Sequence, residues 1–315
     1  MVAPTEELVQ RAHQRVGRTL NDKWRLDRLL GAGGMAAVYL GIHRNGNRAA
    51  IKVLYPELAH DMSLRRRFLR EGYAANAVGH EGAVAVLDDG ESAEGELYLV
   101  MELLRGMSIQ TRWEKVGRRF STKEALSVAH SLLDILAAAH QKGILHRDVK
   151  PENVFVTHEK RIKLLDFGLA RLREDSRPRS RTSDESRPET PDHTTNGQLI
   201  GTVSFMAPEQ ALARSDQVDH RTDLWGVGAM IFTLLAGRTV HEARTPHEHL
   251  LLAATHPAPS LESTLAGAPA VVCSVVDRAL AFRKEDRWPD ARSMQQAVAD
   301  AYVETEKARK GSGPV

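Results

Sequence analysis

Cysteine is almost missing from this chain: one residue in 315, Cys273. An intrachain disulfide framework is therefore excluded, and a reducing compartment is the natural setting. Cys273 sits in the apolar run Val271-Val272-Cys273-Ser274-Val275-Val276 and reads as a small buried hydrophobe. Long apolar runs are missing too. No stretch reaches the roughly 18 consecutive apolar residues of a membrane span. The N-terminus carries Glu6 and Glu7 without an apolar core, so it does not read as a signal peptide. The expectation is a cytoplasmic location, or else a sequence that is a piece cut before a membrane span. Charge of one sign is lacking: 43 Lys and Arg stand against 41 Asp and Glu, a net charge of +2, which gives no reason to expect bulk nucleic-acid or membrane-surface binding. Between residues 173 and 197, Leu, Ile, Val and Phe are all absent. Such a stretch cannot bury enough apolar surface to offset its ordering entropy, and a mobile loop, or one ordered only by modification, is expected there.

What is present is ordinary for a soluble globular protein, with 42% hydrophobic and 27% charged residues in a chain long enough for one large domain or two lobes. No internal repeat is visible. Residues 1–20 are polar, with weak helical spacing at Leu8, Ala12 and Val16. From about 24 to 104, short apolar runs broken by glycines predict a small β-rich unit. Its clearest strands are Ala50-Ile51-Lys52-Val53-Leu54 and Leu97-Tyr98-Leu99-Val100-Met101, with one helix over about 63–78 between them. From about 107 the pattern turns helical. Ser121-Thr122-Lys123-Glu124 forms a capping box, and Gly143 can end the helix it opens. A second helix, about 222–236, is apolar on every side and belongs in a core.

The chemistry concentrates in His146-Arg147-Asp148-Val149-Lys150-Pro151-Glu152-Asn153, followed by Asp166-Phe167-Gly168. The first segment offers a carboxylate able to take a proton, an ammonium two residues on, and an amide oxygen five residues on. The second offers another carboxylate on a glycine-ended turn. Moving a phosphoryl group from ATP to a hydroxyl needs this set: a group to orient the nucleophile, a cation near the moving charge, and two oxygen ligands for magnesium. Gly31-Ala32-Gly33-Gly34 lies between two strand-like runs, where glycines let backbone N–H groups approach phosphates closely. No helix pattern follows directly, so a dinucleotide-binding reading fails. His241, His247 and His249 cluster without the convergent spacing of a metal site and read as exposed loop histidines.

With Ala207-Pro208-Glu209 following in order, these motifs resemble the eukaryotic-like (Hanks-type) Ser/Thr protein kinases, in their bacterial branch. The likeness runs from about Trp24 to Ala301. It implies an α+β, two-lobed protein kinase fold: an extension over 1–23, a small lobe over 24–104, a helical large lobe over 105–302 and a tail over 303–315. The activation segment would span 166–209, with 173–197 as a polar insert. Asp148 would be the catalytic base, Lys150 would stabilise charge on the moving phosphate, and Asn153 and Asp166 would hold Mg²⁺, with Mn²⁺ as a substitute. Lys52, in Ala49-Ala50-Ile51-Lys52, would neutralise the ATP phosphates, with Glu71 as its ion-pair partner; a solvated helix residue is the plainer reading of Glu71. Leu30, Gly31, Ala32, Gly33, Gly34, Val38, Ala50, Met101, Glu102, Leu104 and Phe155 would contact the nucleotide, although Met101 and Phe155 read equally as plain core. Ala36 departs from the family's third glycine, and Gly226 stands where the family often has serine.

The resemblance further implies that Gly201 and Thr202 dock the peptide substrate, that His146 packs on Phe167, that Glu209 pairs with Arg287, and that Asp223 holds the catalytic loop. Substrates would be proteins, the chain itself among them, with dimerisation as a route to trans-autophosphorylation. Arg147 would receive a phosphate carried by Thr194 or Thr195. Two rivals stand beside this reading. A pseudokinase scaffold usually loses Lys52, Asp148 or Asp166, all present here. A small-molecule kinase has no need of a peptide-docking Gly201-Thr202 and Ala207-Pro208-Glu209.

Overall fold

The structure is a computed structural model and describes residues 6–167 and 203–311. It divides into two compact units, the smaller with residues up to Leu69 and Leu87–Leu103, the larger with Arg70–Val86 and the described residues from Leu104 onward.

The small unit is built on a six-stranded sheet in the order β1-β2-β3-β4-β6-β5. Its strands are β1 (Thr19–Leu20), β2 (Trp24–Ala32), β3 (Ala36–His43), β4 (Arg48–Leu54), β5 (Val86–Glu91) and β6 (Leu97–Met101). β4 is central and buried at every position after Arg48, which is why Ala49–Leu54 reads as a continuous apolar run interrupted only by Lys52. Leu26, Tyr39, Ile51, Val53, Tyr98 and Val100 form its core.

Of the extension expected outside the small lobe, the described residues from Glu6 to Leu20 are built into it. Helix α1 (Glu6–His13) places Ala12 in that core, and Tyr39 Oη donates to the Ala12 carbonyl at 3.0 Å. Burial pushes the Tyr39 hydroxyl up to about 12, so it stays a donor. β1 pairs with β2, and Arg15 forms an ion pair with Glu96, both side chains nearly covered.

Helix α2 (Met62–Val78) is where the sequence predicts it. From Arg70 on it belongs to the larger unit, because Ala74, Ala75 and Val78 pack into that unit's core. That core is organised by α4 (Thr122–Gln141), which follows the short α3 (Ile109–Lys115), and by the helix His220–Ala236. Ser121 caps α4 by accepting the Glu124 N–H at 3.3 Å. Every residue from Thr222 to Leu235 is buried, as an all-round apolar helix requires. Helices Pro246–Thr255, Ala270–Ala279 and Ala291–Gly311 complete the unit, and Cys273 is buried in the second of these. A small sheet, β7 (Gly106–Ser108), β8 (Val154–Thr157) and β9 (Ile162–Leu164), lies among the helices.

One expectation is corrected. Of the clustered histidines only His247 is exposed; His249 is 6% exposed and His241 half-buried. Thr245 and Pro246 start a helix there, which lies against the helix Pro208–Ala211 and buries His249. Burial, then the neighbouring His256 and His249, hold His241 below its ordinary pKa. Among the described residues no group of three His, Cys, Asp or Glu is placed to hold a metal, and no helix is long and apolar enough to cross a membrane.

Candidate active site

The segment 144–153 joins α4 to β8, and the β8–β9 hairpin runs on to Phe167. Hairpin register does the first piece of assembly. Val154 pairs with Leu164, and the Leu165 N–H donates to the Asn153 carbonyl at 2.8 Å. Asn153 and Asp166 thereby lie at the open end of one hairpin, just before its first strand and just after its second. Asp166 takes a left-handed backbone, φ 55°, which a non-glycine residue adopts only where its surroundings impose it.

Asp148 is the centre of the polar contacts. Lys150 Nζ lies 2.8 Å from Asp148 Oδ2. Asn153 Nδ2 donates to the Asp148 carbonyl at 2.8 Å and to Asp148 Oδ2 at 3.0 Å. The Asn153 amide nitrogen is occupied on both hydrogens, which leaves its oxygen as the free donor atom for a cation. The Asp148 side chain keeps 20% exposure, so a solvent-borne hydroxyl can reach it.

The loop that carries Asp148 hangs on a buried carboxylate. Asp223, in the first turn of the helix His220–Ala236, accepts the His146 N–H at 2.9 Å on Oδ2 and the Arg147 N–H at 2.7 Å on Oδ1. His140 Nε2, at the end of α4, lies 2.8 Å from the same Oδ2. Burial alone raises the Asp223 carboxyl, but the His140 bond, the nearby imidazoles and the His146 N–H outweigh it and hold the group below the usual carboxylate range. His146 is fully buried. Its Nε2 pairs with the Leu165 carbonyl at 2.9 Å, its Nδ1 accepts the Asp148 N–H at 3.3 Å, and its ring meets Phe167 edge-on at 4.9 Å. His146 is thus a packing and tethering group, as the sequence implied.

Gly226 has a physical reason in this setting. A Cβ there would stand 2.8 Å from Val149 Cβ and 3.0 Å from the Val149 carbonyl, inside the loop that carries Asp148. A serine at this position requires the loop to move. Farther down, Glu209 and Arg287 form a buried two-point pair, Nη1 to Oε1 and Nη2 to Oε2, each at 2.9 Å. Thr222 adds a 2.7 Å bond to Oε1, and the guanidinium covers the Trp225 ring at 4.9 Å. Burial raises the Glu209 carboxyl, and Arg287 and Thr222 more than reverse it.

In the small unit, strand register gathers the nucleotide candidates. Gly31 pairs with Val38, Val38 with Lys52, and Ala50 with Met101. Directly opposed residues project to the same side, so Gly31, Val38, Ala50, Lys52 and Met101 share one sheet face. Ala32 ends β2, Gly33 and Gly34 make the turn, Leu30 is 44% exposed, and Glu102 follows β6. Leu104 and Phe155 belong to the larger unit, Phe155 on β8 opposite Ser108 and Lys163. Lys52 and Glu71 are buried, 8% and 7% exposed. Gly168, the insert 173–197, Thr194, Thr195, Gly201 and Thr202 lie outside the described residues. Sequence reasoning missed two groups, His140 and Gln210. Both sit beside recognised motifs, and neither has a spacing that marks it.

The protein kinase domain family matches residues 24–300. The chain is 36% identical over 286 residues to the serine/threonine-protein kinase Pkn1 of Myxococcus xanthus, covering 89% of this chain and 38% of that protein. It is 33% identical over 287 residues to the serine/threonine-protein kinase PknB of Mycobacterium tuberculosis, covering 88% and 42%. The chain thus spans less than half the length of these curated relatives. Among solved structures it is similar to the Mycobacterium tuberculosis PknI kinase domain, with a TM-score of 0.64 and 28% identity over 90% of this chain and 98% of that one. The β-rich small unit, the helical large unit and the ordered loop around Asp148 therefore have one family account: this chain belongs to the protein kinases, in the eukaryotic-like bacterial Ser/Thr branch.

Proposed function

We propose that the chain transfers the γ-phosphoryl group of Mg-ATP to serine and threonine hydroxyls of proteins, itself included. The observation that carries this reading is the convergence of Lys150 and Asn153 on the Asp148 carboxylate, with the backbone before Asp148 fixed by Asp223. A hydroxyl beside Asp148 is oriented and gives up its proton to the carboxylate as its oxygen bonds to the γ-phosphorus. The bridging bond to the β-phosphate breaks, and its electron pair leaves with ADP. Lys150 places positive charge beside the transferring group, and Lys52 places it on the nucleotide phosphates. The Asn153 amide oxygen and the Asp166 carboxylate are hard donors that fit Mg²⁺. Bound there, the ion supplies charge to the phosphate oxygens. Positioning and charge neutralisation carry the rate.

Autophosphorylation at Thr194 or Thr195 follows from the same reading. The new phosphate pairs with Arg147, one residue before the base, through strong charge-assisted bonds. Phosphopeptide mapping after incubation with Mg-ATP is expected to find phosphate there in the wild type and none in Asp148→Asn. For the activity itself, labelled ATP is offered with a basic protein and, separately, with sugars. Label in serine and threonine of the protein is expected. Label in the sugars alone would replace this reading with a small-molecule kinase.

A further inference from the structure

Arg147 has φ 66°, a left-handed backbone one residue before the proposed base. A non-glycine residue holds that conformation only where its surroundings over-determine it. Its N–H goes to Asp223 Oδ1 at 2.7 Å. Its carbonyl is taken by a side chain the mechanism has not used: Gln210 Nε2 donates to it at 2.8 Å. The other end of the Gln210 amide is fixed as well, because Oε1 accepts the Ala207 N–H at 3.1 Å. With a backbone donor at one end and a backbone carbonyl at the other, the orientation of the amide is dictated by its partners. The next atom of the same peptide is also held, since the Asp148 N–H donates to His146 Nδ1 at 3.3 Å. The peptide joining Arg147 to Asp148 is therefore tethered at its oxygen by Gln210 and at its nitrogen by His146.

Gln210 is itself anchored. It follows Glu209, which Arg287 and Thr222 clamp in the core. It lies on the short helix Pro208–Ala211, where the Ala211 and Leu212 N–H groups return to Ala207 and Pro208. A displacement of this helix must therefore either move the Arg147 carbonyl or break its bond.

We infer that Gln210 is a positioning residue for the phosphoryl-transfer step. It sets the Arg147–Asp148 peptide, and with it the direction of the Asp148 carboxylate, and it registers that carboxylate to the Ala207–Ala211 segment. The inference rests on the kinase reading above. It assigns Gln210 an effect on the chemical step rather than on nucleotide binding.

The test is a mutant cycle on purified protein, read as kcat and KM for ATP with a basic protein as acceptor. Gln210→Glu keeps the oxygen that accepts the Ala207 N–H and loses the donor to Arg147. It is expected to lower kcat about tenfold, with KM for ATP changed less than about twofold. In an Asp148→Asn background the same substitution is expected to change the residual rate less than about twofold, because the group it positions is gone. Gln210→Glu with wild-type kcat, or an equal loss in both backgrounds, would overturn the inference while leaving the kinase reading intact. A wild type with no more transfer than Asp148→Asn would overturn both. If Gln210→Glu shows no cooperative thermal transition, Gln210→Met is put through the same cycle with the same two outcomes deciding.

Discussion

The loop 144–153 and the β2–β3 turn carry the two most recognisable motifs, and they are held in opposite ways. The loop is suspended from buried side chains: Asp223 takes two of its N–H groups, Gln210 takes a carbonyl, and His146 ties it to Leu165. Among the described residues the turn is held by backbone bonds, the Gly33 N–H on the Ala36 carbonyl at 2.8 Å and the Tyr55 N–H on the Met35 carbonyl at 3.0 Å, and a Cβ added at Gly31 would meet nothing within 4 Å. The difference fits the work the proposed function gives each. A base must meet a hydroxyl within hydrogen-bond tolerance, which asks for a loop fixed from the core outward. A turn proposed to cover phosphates would have to admit and release a nucleotide, which asks for fewer buried contacts.

Substitutions can break this contrast from the loop side first. Arg287→Ala leaves the Glu209 carboxylate buried and unpaired, and a loss of about 3–5 kcal/mol is expected in urea unfolding. Asp223→Asn presents an amide NH₂ to one of two N–H groups that need an acceptor. The expected cost is about 1–3 kcal/mol, together with a larger fall in kcat than in ATP affinity. Gly226→Ser forces Val149 aside, and about 1–3 kcal/mol is expected by thermal unfolding, with kcat reduced.

The pH dependence has a definite sign. The Glu209 and Asp223 carboxyls are held below their ordinary values, so their contribution is fully present above the unfolded carboxylate pKa of roughly 4 and is lost as pH falls through the depressed folded values. Urea midpoints are expected to drop as pH is lowered below roughly 4, and less steeply in Glu209→Gln. The smallest stability change belongs to the turn. Gly31→Ala is expected to shift stability by less than about 0.5 kcal/mol while raising KM for ATP several-fold at nearly constant kcat. A stability loss at Gly31 as large as that at Gly226 would erase the contrast.

The same division marks what the sequence made legible. The loop 144–153, the Asp166-Phe167-Gly168 motif, α2, α4 and the helix His220–Ala236 announce themselves in the sequence through fixed motifs, a capping box or long apolar patterns. β7, β8 and β9 span only three or four residues each, too few for a period to register. Residues 6–20 look polar, yet Ala12, Arg15 and Leu20 are buried, because a single apolar contact and one ion pair per turn leave little trace in composition. His249 is buried although its local sequence reads as an exposed loop, because the helix Pro246–Thr255 sets its position. His140 and Gln210 act through bonds across 83 and 63 residues, a distance that no local pattern encodes.

The most direct test is Asp148→Asn measured by ATP titration and single-turnover transfer on one preparation. Nucleotide affinity within about threefold of wild type and transfer slower by about a thousandfold or more are predicted. Transfer at the wild-type rate would contradict the role given to Asp148, and with it the account of why this loop is anchored so firmly.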